Sequence, residues 1–430
     1  MPVEFLYFLT LVGIFIVSCF ALKLPASIAM MLASFVTLIV SGNGLNIRHM
    51  FEGSFAFIDT ILIIVTAMIF MRFVQESGGL DALIYVIIKH FRKIPVLLLP
   101  VLMLFAMLPA MITGSSTASV LTAGAIVAPI LIALGVPLHK AGAFIAMAAV
   151  LGMIAPPVNL PAMIIGSGVD MPFVGFAAPL LLMTIPPAII FSWVFSLKYA
   201  RKKVSWEELS SKLNPEAYEK HGISLFIPLF VVVIFIVLSQ LIPEIFGRGG
   251  LQVFFLVSAL PGIFVGKKFN PLKAAKDAVA DALPVMAILA GVGMFLQIMT
   301  LTGVRGLIVV SALSVNPALL YLVIGVSIPL FGVVSAFGSA SVFGVPFLLA
   351  LMAVGGVDPI IVVAALSLIA GMGDFMPPTA LAAIFASQII GEPKYSRVLK
   401  KLIIPGVLVV IWALMFVIFS QEIRSLVPFL

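Results

Sequence analysis

Two proline pairs, one carboxylate and two short polar segments carry the chemistry this chain of 430 residues could perform. Gly152-Met153-Ile154-Ala155-Pro156-Pro157 lies in the middle of the apolar stretch Ala141–Val169, and Gly373-Asp374-Phe375-Met376-Pro377-Pro378 in the middle of Pro359–Ile390. Proline has no N–H and cannot continue a helix, and the residue before it avoids the α region, so both stretches must break there. Unbroken, the first would run about 43 Å at 1.5 Å per residue, well beyond a bilayer core of roughly 30 Å. A break at membrane depth is tolerated only where it lines a cavity or is buried in protein. Its freed carbonyls suit a hard cation such as Na⁺, and the start of the following half-helix suits an anion.

Asp374 is the sole acid deep within a span, and intramembrane carboxylates are costly and usually functional. It could ligate a cation, carry a coupled proton, or hydrogen-bond backbone left free by the break. Thr113-Gly114-Ser115-Ser116-Thr117 and Phe337-Gly338-Ser339-Ala340-Ser341 are small, polar and uncharged between apolar arms. They fit hairpin tips facing the proline breaks, although such stripes also serve plain helix packing. Candidate substrate contacts are Ser115, Ser116, Thr117, Asn159, Ser339, Ser341 and Thr379. No Arg stands deep enough to clamp a carboxylate, so recognition leans on backbone groups, hydroxyls and a bound cation. Arg72 and Glu76 read as a solvated ion pair near a span end; Asp59, Asp281 and Arg305 read as snorkelling or capping groups.

The elements that position these residues are membrane spans. Hydrophobic side chains make up 63% of the chain and charged ones 10%, with a mean hydropathy of +1.30; soluble domains run about 45–50% apolar and roughly 25% charged. One cysteine, Cys19, excludes a disulfide scaffold, and the four histidines are not spaced as metal ligands. The net charge of +7 fits cytoplasmic loops of a membrane protein rather than a nucleic-acid surface. Basic clusters at Lys89–Lys93, Lys198–Lys220, Lys267–Lys276 and Lys394–Lys401 fall on one face if Pro95–Leu134 and Leu319–Val354 each enter and return. Ser311–Pro317, Asp170–Phe176 and Pro243–Gly250 then lie on the other face. This arrangement predicts ten crossings, two returning pairs and both termini outside, with Glu4 out and Lys23 in. The start lacks the basic flank of a cleaved signal peptide.

The second half repeats the first. Gly135-Val136 and Pro156-Pro157 fall on Gly356-Val357 and Pro377-Pro378 at a shift of 221 residues; the tips align at 224, as Gly114-Ser115 on Gly338-Ser339. Equivalent loops differ in charge, Lys89–Lys93 against neutral Ser314–Pro317 and neutral Ala177–Leu181 against basic Tyr395–Leu402, so the copies are inverted. Inverted repeats with discontinuous helices are typical of secondary transporters. The predicted fold is an all-α polytopic membrane protein of two inverted-topology repeats, with a scaffold and a mobile transport domain. Its parts are scaffold helices at 1–54, repeat 1 at 55–197, a cytoplasmic loop at 198–222, scaffold helices at 223–282, repeat 2 at 283–420 and a tail at 421–430. Short amphipathic arms at Asp81–Lys93 and Gly306–Asn316 precede the hairpins. An aspartyl membrane protease would need a second deep Asp, but the repeat counterpart of Asp374 is Met153.

The ordered set Gly114-Ser115-Ser116-Thr117, Gly152-x3-Pro156-Pro157 and Gly373-x3-Pro377-Pro378 followed by Ala386-Ser387 resembles the large membrane subunit of tripartite ATP-independent periplasmic (TRAP) transporters, from about Phe5 to Phe419. The resemblance implies an elevator mechanism and uptake of an organic acid anion across a bacterial or archaeal inner membrane. It implies no cofactor, Na⁺ coupling with H⁺ as the alternative, a small four-helix membrane subunit and a soluble substrate-binding protein. It assigns Ser115, Ser116, Gly152 and Ala155 to one Na⁺ site and Gly338, Gly373 and Met376 to a second. Met376 stands where the family often has Thr, and Asp374, outside the expected pattern, could replace that hydroxyl. A stand-alone carboxylate or ion transporter of the same wider group is the alternative.

Overall fold

The computed structural model describes residues 2–44, 46–200, 206–242 and 250–426. The predicted loop Pro243–Gly250 lies almost wholly outside these residues, as do 201–205 of the cytoplasmic loop and 427–430 of the tail. Among the described residues every regular element is a helix. Nine helices among the described residues are long and apolar enough to cross a membrane; three of these, Pro95–Thr113, Ser116–Ala133 and Ala336–Val354, are hairpin arms.

The hairpins follow from local signals. Pro95 opens the first arm, where its missing N–H costs nothing, and Gly114 ends it at φ 67°, a left-handed conformation suited to glycine. Ser115 is extended, and its side chain accepts from the Ala118 N–H to start the return arm. The second hairpin runs Pro317–Phe331, then Ala336–Val354, with Ser335 extended and accepting from the Gly338 N–H. Both return arms contain a π-helical turn, Val120–Gly124 and Ala340–Gly344. Caps and π turns both set the correspondence at 220 residues, so Ser115 matches Ser335. The letter match of Gly114-Ser115 with Gly338-Ser339 at 224 was misplaced: Gly338 and Ser339 lie one turn inside the return arm.

Both long stretches break as predicted. The first is Leu138–Ile154 followed by Leu160–Ser167; the second is Pro359–Gly371, a 3-10 turn Met372–Phe375, then Leu381–Ile389. Ala155 and Met376, ahead of the prolines, are extended, as steric exclusion before proline requires. The arms are Gly79–Phe91 and Val304–Leu313.

The 31-residue helix Pro271–Leu301 packs against Ala26–Val40, Ile47–Ser54 and Ile58–Glu76. Close approach is possible because Gly291 abuts the Ser27 backbone and Gly293 abuts Gly53. Arg72 meets Glu76 at 3.2 Å and also faces Asp277 and Asp281 at 3.6 and 4.0 Å. The predicted loop 198–222 carries the short helices Trp206–Ser210 and Glu216–His221. Trp206 and Tyr218 pack on Tyr85 of the first arm, with the Arg92 guanidinium 4.7 Å above the Trp206 ring.

Candidate functional site

The two tips and two breaks interlock. The first tip, Ser116–Ser119, packs on Leu138–Ile154 of its own repeat and on Leu381–Ile389 of the other. The second tip packs likewise on Pro359–Gly371 and on Leu160–Ser167. Each tip therefore touches the first half-helix of its own repeat and the second half-helix of its partner repeat.

Glycine makes the closest approaches possible. A Cβ on Gly152 would strike the Met107 carbonyl and Ala110 of the first hairpin; one on Gly373 would strike the Gly332 backbone of the second. The Val158 N–H donates to the Met111 carbonyl at 3.1 Å, and the Thr379 hydroxyl donates to the Val333 carbonyl. Each break is thus tied to its own hairpin, the first at the incoming arm and the second at the turn just past it.

Of the candidate residues, Ser116 and Asp374 come together: the hydroxyl donates to the carboxylate at 2.5 Å. Ser115 caps the return arm, and Thr117 is half-buried beside it. Asn159 is fully buried and engaged on every side. Its Nδ2 donates to the Ile154 carbonyl at 2.8 Å and to Ser367 Oγ at 2.9 Å, while Oδ1 accepts from the Ala162 N–H. Ser339 and Ser341 are buried and donate to the Ala336 and Gly338 carbonyls within their own helix. Gly152, Ala155 and Gly373 are buried, and Met376 is half-buried. The Gly152 and Gly373 carbonyls accept local bonds from the Ala155 and Met376 N–H groups; a carbonyl has two lone pairs, so each retains capacity for a cation. The Gly338 carbonyl lies inside the return arm and accepts from the Ser341 hydroxyl.

The two breaks differ in their surroundings. Pro156 is buried whereas Pro377 and Pro378 are exposed. A cavity of about 480 Å³ lies beside the second break, walled by Asp374, Pro378, Thr379 and the tip residues Ser335, Ala336 and Phe337. Two residues of this region escaped the sequence reading. Ser335 could have been found from its extended-cap role opposite Ser115; Lys23, on the cavity's far wall, has no signal in the sequence beyond being the charge after an apolar run.

Residues 12–423 match the DctM component of the tripartite ATP-independent periplasmic transporters. The crystal structure of the YdaH transporter of Alcanivorax borkumensis superposes with a TM-score of 0.62 at 14% identity, over 86% of this chain and 87% of that one. At that identity the likeness speaks for the fold. No curated protein matches the chain by sequence.

Proposed function

The chain belongs to the DctM component family of tripartite ATP-independent periplasmic transporters, and from that premise we propose that it is the large permease subunit for cation-coupled uptake of an organic acid anion. The observation that carries this reading is the Ser116–Asp374 contact, which sets a carboxylate between the tip of one repeat and the break of the other. A cation held by Asp374 and the break carbonyls supplies the positive charge against which an anion binds, so neither species is favoured alone. Na⁺ is the coupling ion of this proposal, since carbonyl and carboxylate oxygens suit a hard cation; a proton on Asp374 is the alternative carrier. The hairpin tips and broken helices form one interlocked unit, and it slides against the helices around Pro271–Leu301 as an elevator. A small four-helix membrane subunit steadies that scaffold, and a soluble binding protein delivers substrate. The chain sits in the inner membrane with both termini outside.

Uptake into proteoliposomes under imposed Na⁺ or H⁺ gradients tests the reading, with the binding protein present or omitted. Flux driven by Na⁺ and dependent on the binding protein is the expected result. Flux without any binding protein would mark a stand-alone carrier. Absence of gradient-driven carboxylate flux would overturn the proposal.

A further inference from the structure

The cavity beside the second break has two walls of different origin. One belongs to the hairpin and break of repeat 2, with Asp374 and Thr379; the other belongs to the scaffold, with Cys19, Lys23, Ala26 and Ile288. Lys23 and Asp374 are its two charged lining residues. Lys23 is exposed to this space rather than buried in protein.

The backbone at Lys23 adds an independent observation. Lys23 takes φ 55°, a left-handed conformation that is unfavourable for residues bearing a Cβ. The chain resolves such turns with glycine at 13 described positions, and Lys23 and Asp170 are the described non-glycine residues that share it. A bond from the Leu24 N–H to the Ser18 carbonyl, 3.0 Å, closes the turn. A lysine serving only to anchor the helix end could stand at any neighbouring position without strain. At position 23 the turn places its side chain on the cavity wall.

We propose that Lys23 holds the anion in this cavity, its ammonium facing a substrate carboxylate while Asp374 faces the coupling cation across the same space. The proposal rests on the anion-transport reading and adds a second positive group beside the coupling cation, one that originates in the scaffold. A charged Asp374 without its cation repels the anion that Lys23 attracts, which ties anion occupancy to cation occupancy. Because the two residues belong to different units, sliding of the hairpin–break unit separates the anion from Lys23.

The single cysteine of the chain, Cys19, lines the same wall and reports the local potential in the full-length protein. Its rates of reaction with an anionic, a cationic and a neutral methanethiosulfonate are compared in Lys23→Gln, Lys23→Gly and Lys23→Arg. The anionic-to-cationic rate ratio cancels changes in the thiol itself. It should fall about tenfold or more in Lys23→Gln and Lys23→Gly, as expected for removal of a unit charge several ångströms away, and hold in Lys23→Arg. Lys23→Gly relieves the backbone, so its loss is not misfolding. The same variants are assayed for succinate uptake, where KM should rise about tenfold in Gln and Gly but not in Arg. An unchanged ratio and KM in Lys23→Gly would overturn the proposal. A ratio that depends on Lys23 in a protein that moves no carboxylate would support the anion-holding role and overturn the transport reading instead.

Discussion

The Ser116 hydroxyl donates to Asp374 at 2.5 Å across 258 positions of chain, from the first hairpin tip to the second helix break. The bond orients the carboxylate and commits one of its oxygens, leaving the other for a cation. A hydrogen bond to a charged acceptor contributes about 1.5–3 kcal/mol, and about 1.4 kcal/mol is a factor of ten in affinity. Ser116→Ala should therefore weaken the apparent affinity for the coupling cation by about tenfold, and Asp374→Asn by more. Cation titrations of proteoliposome uptake measure both. Wild-type cation dependence in Asp374→Asn would remove the carboxylate from the coupling site.

The breaks were legible because their cause is local. Pro156-Pro157 and Pro377-Pro378 forbid a helix whatever surrounds them, and Ala155 and Met376 are extended accordingly. The second tip was not legible by letter. Gly338-Ser339 imitates Gly114-Ser115, but capping depends on an extended backbone and a side chain reaching three residues ahead, and Ser335 satisfies both. Lys23 was invisible for another reason. In sequence it flanks an apolar run and reads as a topological marker; only tertiary packing brings it to the cavity of Asp374. The short helices after position 205 were hidden likewise, since Trp206 and Tyr218 acquire their role from Tyr85 on a distant arm.

The glycines at the breaks give a graded test. A methyl on Gly373 meets the Gly332 backbone and cannot be relieved by a rotamer change, whereas one on Gly13 meets nothing within 4 Å. Overpacking of this kind costs roughly 1–3 kcal/mol. Gly373→Ala and Gly152→Ala should lower the melting temperature in detergent and reduce uptake, while Gly13→Ala should be silent in both assays. A Gly373→Ala variant with normal stability and uptake would mean that the break and hairpin part readily.

Arg305, in the first turn of the second arm, donates from Nη2 to the Gly168 carbonyl at 2.5 Å. Gly168 caps the half-helix Leu160–Ser167 of repeat 1, so an arm of one repeat holds the broken helix of the other. Of the snorkelling and capping roles expected for Arg305, the contact is the capping one. Arg305→Ala should destabilise the protein by about 1–2 kcal/mol. Lysine lacks the planar fork of donors, so Arg305→Lys should recover only part of that loss. Thermal unfolding in detergent compares the three. Stability equal to wild type in Arg305→Ala would show that the arm contributes nothing to holding this helix end.

Asn159 distinguishes a joint from a substrate contact. Its carboxamide bridges the Ile154 carbonyl, the Ala162 N–H and Ser367 of the opposite repeat, all buried. Asn159→Ala leaves the backbone carbonyl and the N–H without these partners, and each such buried group costs about 1–3 kcal/mol. The variant should therefore lose roughly 2–5 kcal/mol. Ser367→Ala should lose about 1 kcal/mol, since its hydroxyl otherwise donates only to the Ala364 carbonyl of its own helix. The double variant should be less destabilised than the sum of the singles by roughly 0.5–1.5 kcal/mol, because the shared bond is lost once. Denaturant unfolding of the three variants gives this coupling. If Asn159→Ala kept wild-type stability but lost uptake, the side chain would belong to substrate recognition rather than to the junction of the two breaks.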